Sequence, residues 1–230
     1  MTTFVLIPGA GGSAWYWHLL VPELRHRGHE AIAVDLPASD DSAGLAAYTD
    51  AVVAAIGDAQ DPVVVAQSMG ALIGPLVCER LRVPLLVLLN PMVATPGETG
   101  HQWWVNTGHG DAAAEEARRN GQPVELATEL RYAFFHDVAP HVTATAMAAD
   151  APDQSSRPFE DPWPLPAWPQ VRTRVLQGRD DRFFPVAFQR RVVGERLGLP
   201  IEEMDGGHLL ALSRPAELAD RLVAYLDDLR

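Results

Sequence analysis

Ala66-Gln67-Ser68-Met69-Gly70 follows the apolar run Pro62-Val63-Val64-Val65 and precedes Ala71-Leu72-Ile73-Gly74-Pro75-Leu76-Val77. The first flank reads as a buried strand and the second as the start of a helix. A serine at a strand-to-helix turn, with small residues two positions away on each side, is the pattern of a nucleophile elbow. Bulky side chains at those two positions would collide with neighbouring backbone, while the serine Oγ stands out at the tip. Glycine usually fills both positions; here the first is Ala66.

Working outward, short β-branched runs alternate with amphipathic stretches, as in a parallel sheet covered on both faces. Residues 4–7, 31–34, 63–66 and 85–89 read as strands, and 15–27, 45–56 and 69–80 as helices, with Gly28 and Gly57 stopping the first two. The rhythm then breaks. Residues 94–170 offer helical patches (112–119, 125–135 and 142–149), paired aromatics at Trp103-Trp104 and Phe134-Phe135, and no strand. They end in Pro162-Trp163-Pro164-Leu165-Pro166-Ala167-Trp168-Pro169, too rich in proline for a helix or a central strand. Alternation resumes with strand 172–177, helix 186–197, strand 201–204 and a closing helix over 216–229. The expectation is an α/β fold: a mostly parallel twisted sheet of about six strands with helices on both faces. Its core comprises residues 1–93 and 171–230, and residues 94–170 form a helical lid over the carboxyl edge of the sheet.

Composition narrows the chemistry. The 230 residues fit a single domain, and a chain of this size buries roughly 70% of its unfolded surface. The net charge is −12 and all 18 basic residues are arginine, so nucleic acid and anionic membranes are not the expected partners. Without lysine there is no Schiff base, no P-loop lysine and no Tyr-x-x-x-Lys pair. Cys78 is the one cysteine, which excludes an intramolecular disulfide and a cysteine zinc site; within its apolar stretch it reads as an inert buried thiol. No signal peptide or membrane-spanning run is visible, and the expected location is the cytoplasm.

A serine hydroxyl needs a base, and the base needs an acid to orient it. In this architecture the order is serine, then Asp or Glu, then histidine. Two candidate loops follow predicted strands in that order: Gly178-Arg179-Asp180-Asp181-Arg182-Phe183-Phe184-Pro185 and Asp205-Gly206-Gly207-His208.

On these motifs the chain, from Phe4 to its final helix, resembles the α/β-hydrolase superfamily, in particular the small-lid group of methylesterases and hydroxynitrile lyases. Members carry the acid in a Gly-x-x-Asp-x-x-x-Pro turn, matched by Gly178, Asp181 and Pro185, and the histidine in a Gly-His loop, matched by Gly207-His208. The resemblance implies a triad of Ser68, Asp181 and His208, with Asp180 as the alternative acid. It also implies an oxyanion hole made by the backbone N–H groups of Ala10 and Met69. Pro8 stands where members usually have a histidine that buttresses the loop. Lyase members use a lid lysine, which this chain lacks, so the resemblance favours hydrolysis of a small-molecule ester or thioester with an apolar portion, and no cofactor.

Other readings compete. Gly9-Ala10-Gly11-Gly12-Ser13-Ala14 satisfies G-x-G-x-x-A, and Asp35 ends the next strand about twenty residues on, as in a dinucleotide-dependent reductase. Trp15-Tyr16-Trp17 is bulky where a pyrophosphate must approach, and that reading leaves the elbow and the Gly-Gly-His loop unexplained. A non-hydrolytic ligand-binding or receptor protein on the same fold is a second alternative. Trp103, Trp104, Phe134 and Phe135 suit either a substrate pocket or lid packing. His18, His26, His29, His101, His109, His136 and His141 show no metal-ligand spacing and read as surface or lid residues, with His136 beside Asp137 at a helix end.

Overall fold

Alternation of side chains along six strands builds the molecule. In the computed structural model, which describes residues 1–149 and 153–229, these are β1 (Thr3–Ile7), β2 (Glu30–Ala33), β3 (Val63–Gln67), β4 (Leu85–Leu89), β5 (Thr173–Gly178) and β6 (Glu202–Met204). They form one sheet in the order β2-β1-β3-β4-β5-β6, and every pairing is parallel. The register pairs Val5 with Val64, Val64 with Leu86, Leu88 with Val175 and Gln177 with Glu203.

Both faces of the sheet are buried, as parallel sheets require. Val5, Ile7, Val64, Ala66, Leu86, Leu88 and Val175 point to one side, where Leu45–Ile56, Gly74–Arg80 and Val186–Leu197 pack. Phe4, Leu6, Val63, Val65, Leu85, Val87, Leu89 and Leu176 point to the other, against Leu20–His26 and Pro215–Ala224. Runs such as Leu85–Leu89 are therefore apolar at every position because each face has its own core.

The helices are more broken than the sequence pattern suggests. The stretch expected as one helix over 15–27 is a 3₁₀ turn, Ala14–Trp17, followed by Leu20–His26. The helix after the elbow begins as 3₁₀, Ser68–Leu72, and becomes α only at Gly74–Arg80, where Pro75 occupies the first turn and needs no N–H acceptor. The 125–135 stretch likewise divides into Val124–Thr128 and Leu130–Ala133, and the closing helix ends at Ala224 with a 3₁₀ turn beyond.

Between β4 and β5 lies an insert with helices Gly100–Asn106, His109–Arg119, Leu130–Ala133, Pro140–Ala148 and Arg157–Glu160. Part of the predicted lid, residues 150–152, falls outside the described residues. A capping box starts the first of these helices: Gln102 N–H donates to Thr99 Oγ1 at 3.1 Å and Thr99 N–H to Gln102 Oε1 at 2.9 Å. The insert is tied to the core by a buried ion pair, Arg196 Nη2 to Glu98 Oε1 at 2.9 Å and Nη1 to Oε2 at 2.5 Å.

Candidate active site

The turn after β3 holds Ser68 at φ +51°, a left-handed conformation that costs a non-glycine residue about 1–2 kcal/mol. The close packing that enforces it is visible at Gly70, where a Cβ would lie 2.6 Å from the Pro8 carbonyl oxygen. Alanine is accepted at position 66 because the opposing helix residue is Gly74, whose added Cβ would stand 2.9 Å from Ala66 Cβ. The space glycine usually leaves in the strand is left in the helix instead. The Ser68 carbonyl accepts a hydrogen bond from Met92 N–H at 3.0 Å, tying the elbow to the end of β4.

Strand order reverses between β1 and β3, so a crevice opens outside their carboxyl ends, where the 8–14 loop and Ser68 lie. His208 follows β6, three strands away, roughly 14 Å at about 4.8 Å per strand. Its loop must therefore turn back across β5 and β4. Asn90, fully buried at the end of β4, holds it there: Nδ2 donates to the carbonyls of His208 (2.9 Å) and Gly207 (3.3 Å), while Oδ1 accepts from Gly178 N–H at 2.7 Å. Gly178 makes the crossing possible, since a Cβ there would meet the Gly207 and Gly206 carbonyl oxygens at 2.4 and 2.6 Å. Sequence reading missed Asn90; its signal is an Asn-Pro pair directly after an apolar strand.

The three predicted side chains meet. His208 Nε2 lies 3.1 Å from Ser68 Oγ, and Nδ1 lies 2.8 Å from Asp181 Oδ2. The carboxylate can only accept, so Nδ1 carries the proton and Nε2 is free to accept from the hydroxyl. Ser68 is 8% exposed, Asp181 2% and His208 1%. Every remaining lone pair of Asp181 is used. Oδ1 accepts from Phe183 N–H (2.9 Å) and Phe184 N–H (2.8 Å), and Oδ2 also accepts from Gln177 Nε2 (3.2 Å). Asp180, the alternative acid, is exposed and accepts from Gly206 N–H at 3.2 Å.

In the 8–14 loop, Gly12 N–H donates to Gly9 O (3.1 Å), Leu36 N–H to Gly12 O (2.7 Å) and Ala14 N–H to Asp35 Oδ1 (2.7 Å). Ala10 is exposed at the tip of this loop, and Met69 is buried in the first turn after Ser68. Asp35 Oδ1 is engaged by the loop itself, and Trp17 is wholly buried in the core.

The four aromatics of the insert separate. Phe134 packs against the His208 ring at 5.2 Å and against Phe183 at 4.4 Å. Trp103 is wholly buried, its Nε1 donating to Val93 O at 2.9 Å, and Trp104 stacks edgewise on it. Phe135 joins the core on the opposite side of the sheet. Phe183 and Phe184, not singled out by sequence, lie 5.3 and 5.0 Å from the His208 ring. Cys78 is partly buried, and burial pushes its thiol up to about 12. Among the described residues, no group of His, Cys, Asp and Glu side chains is arranged to hold a metal, and no helix is long and apolar enough to cross a membrane. An open cavity of about 670 Å³, lined by Pro96, Trp168, Arg196 and Leu199 among others, shares no residue with the Ser68 site.

A parallel sheet of this order, with a serine elbow after β3 and a histidine returning from β6, defines an α/β-hydrolase. The chain belongs to the alpha/beta hydrolase family, whose sequence profile matches residues 4–221. No curated protein matches it significantly. Its fold is similar to that of an extracellular α/β-hydrolase from a Paenibacillus species, described as sharing homology with tobacco salicylic acid binding protein 2. That likeness runs at 20% identity, with a TM-score of 0.77 over 97% of this chain and 98% of the other. A pyrethroid hydrolase from Sphingobium faniae JZ-2 aligns at 20% identity and TM-score 0.73, covering 98% and 97%. An Arabidopsis methylesterase aligns at 18% identity and TM-score 0.76, covering 99% and 100%.

Proposed function

We propose that this protein is a serine hydrolase that cleaves a small or medium carboxylic ester, or the corresponding thioester, through an acyl-enzyme. The observation that carries the reading is the continuous relay from Ser68 through His208 to Asp181 at 3.1 and 2.8 Å. Ser68 Oγ attacks the acyl carbon while His208 Nε2 takes its proton. Asp181 fixes the imidazole tautomer and stabilises the imidazolium. The N–H groups of Ala10 and Met69 receive the developing oxyanion. His208 then protonates the leaving alcohol or thiol, and water, activated by the same imidazole, releases the acid. The ring faces of Phe134 and Phe183 beside His208 favour a substrate with an apolar portion, and the insert acts as its lid. The similar structures named as a methylesterase and a pyrethroid hydrolase are consistent with this chemistry.

A fluorophosphonate probe tests the proposal. Labelling of the wild type that disappears in Ser68→Ala, with turnover of p-nitrophenyl acetate, is the expected result. Absence of labelling by the folded wild type refutes it, and labelling without turnover of any ester would favour a ligand-binding role.

A further inference from the structure

Each of the three loops that build the site is held at a backbone group by one side chain of the insert. The acid loop is held by His109, whose Nε2 lies 2.8 Å from the Phe183 carbonyl oxygen. A carbonyl only accepts, so Nε2 donates. Phe183 N–H in turn donates to Asp181 Oδ1, so residue 183 is fixed at both ends. The rings of Trp103, Trp104, Phe183, Phe184 and Phe188 surround His109 and leave its imidazole no other orientation. The histidine loop is held by Asp137, whose Oδ2 accepts from Gly207 N–H at 2.7 Å. Asn90 takes the Gly207 carbonyl from the opposite, core side. The 8–14 loop is held by Gln154, whose Oε1 accepts from Gly11 N–H at 2.9 Å, next to Ala10. Gln154 is itself fixed, its Nε2 donating to Tyr48 Oη and Ser155 O, both at 2.9 Å.

We infer that the insert is the positioning frame of the site, with His109, Asp137 and Gln154 as positioning residues for Asp181, His208 and the Ala10 amide. This rests on the serine-hydrolase reading and deepens it. Three observations carry it. The targets are loop amides and a carbonyl that the sheet ladder does not satisfy, so each bond answers a need that the loop cannot meet alone. The three side chains come from separate parts of the insert and reach 74, 70 and 143 residues along the chain, each to a different loop. Finally, Gln154 meets the 8–14 loop at Gly11 N–H while its own Nε2 is anchored on Tyr48 Oη and Ser155 O, so the support is itself held in place. Swinging the whole insert away would break all three bonds at once.

The test pairs a deletion with a conservative change at each position: His109→Phe with His109→Gln, Asp137→Ala with Asp137→Asn, and Gln154→Leu with Gln154→Glu. Each conservative change keeps the atom that meets the loop; Gln154→Glu loses the donation to Ser155 O but can accept from the Tyr48 hydroxyl in place of donating to it. Deletions should lower kcat and the rate of fluorophosphonate labelling about 10–100-fold, the scale of a small misplacement of reacting groups, with KM within about threefold. Conservative variants should recover to within about fivefold of wild type. Backbone amide exchange gives a readout independent of activity. Gly11, Gly207 and the Phe183–Phe184 amides should exchange faster in the corresponding deletion and regain protection in its conservative partner. Deletions that leave kcat and exchange within threefold of wild type would overturn the inference. Conservative variants that fall as far as the deletions, in turnover and in exchange, would overturn it as well. If the wild type fails to label at Ser68, the catalytic reading falls, and the exchange data alone decide whether the frame exists.

Discussion

Replacing Asp181 by asparagine separates the catalytic reading from a merely structural one. The carboxylate accepts four hydrogen bonds and donates none. The two backbone donors, Phe183 N–H and Phe184 N–H, belong to the acid loop and cannot turn away, so the amide oxygen of Asp181→Asn must take the Oδ1 position. Its NH₂ then faces His208 Nδ1. To accept from it, His208 must carry its proton on Nε2, the nitrogen 3.1 Å from Ser68 Oγ. The base becomes a donor. By analogy with tautomer reversal in other serine enzymes, kcat should fall about 10⁴-fold, or ~5.5 kcal/mol at ~1.4 kcal/mol per decade.

The fold loses much less. Gln177 Nε2 would face the new NH₂, and rotating the Gln177 amide presents its presently unpartnered Oε1 instead, at the expense of the bonds from Nε2 to Phe184 O (2.9 Å) and Gly178 O (3.3 Å). Two buried hydrogen bonds are sacrificed, together about 1–3 kcal/mol at ~0.5–1.5 kcal/mol each. The assay is p-nitrophenyl ester hydrolysis alongside thermal unfolding, with Asp180→Asn as control. That control alters an exposed carboxylate and should stay within about threefold of wild type in activity, as surface changes usually do. A folded Asp181→Asn protein that keeps activity within tenfold of wild type would refute the argument.

Further outcomes follow from packing and charge. Gly74→Ala should destabilise by about 1–3 kcal/mol because its Cβ meets Ala66 Cβ, and adding Ala66→Gly should recover part of that in a double-mutant cycle read by urea unfolding. Glu98→Gln leaves Arg196 buried without its counter-charge and should cost about 3–5 kcal/mol; a loss under about 1 kcal/mol would show that the pair is dispensable. Burial raises the Glu98 carboxyl, but hydrogen bonds from Arg196 and Asn106 more than reverse this and hold it below its ordinary value of 4.5. Its contribution is therefore complete above that pH and lost as pH falls through the folded value. Burial also lowers His109 and His136 below the ordinary 6.5, so the unfolded chain takes up protons first and stability should decline as pH falls from 6.5. Chemical denaturation between pH 7.5 and 5 checks this; His109→Gln should flatten the slope, and stability that rises toward pH 5 would contradict it.

How far the sequence could be read depended on the range of the forces involved. The central strands β1, β3 and β4 were legible because two-sided burial makes them apolar along nearly their whole length, and the elbow because its sterics act within a few residues. The acid and histidine loops were legible by their local spacing, although Gly178 owes its identity to the carbonyls of Gly206 and Gly207 nearly thirty residues on. The helix starting at Thr99 carried a readable Thr-x-x-Gln box, yet no long hydrophobic period announced it. Aromatics of the insert could not be sorted because adjacent side chains on a short helical turn diverge by about 100°. Phe134 reaches His208, while Phe135 enters the other core. Hydrogen bonds between the insert and the loops leave no local pattern, since a glutamine, an aspartate or a histidine that meets a distant amide looks in sequence like any solvated one. The sheet and the loops carrying Ser68, Asp181 and His208 are thus fixed by short-range rules, whereas the precision with which these side chains meet depends on contacts visible only once the chain has closed on itself.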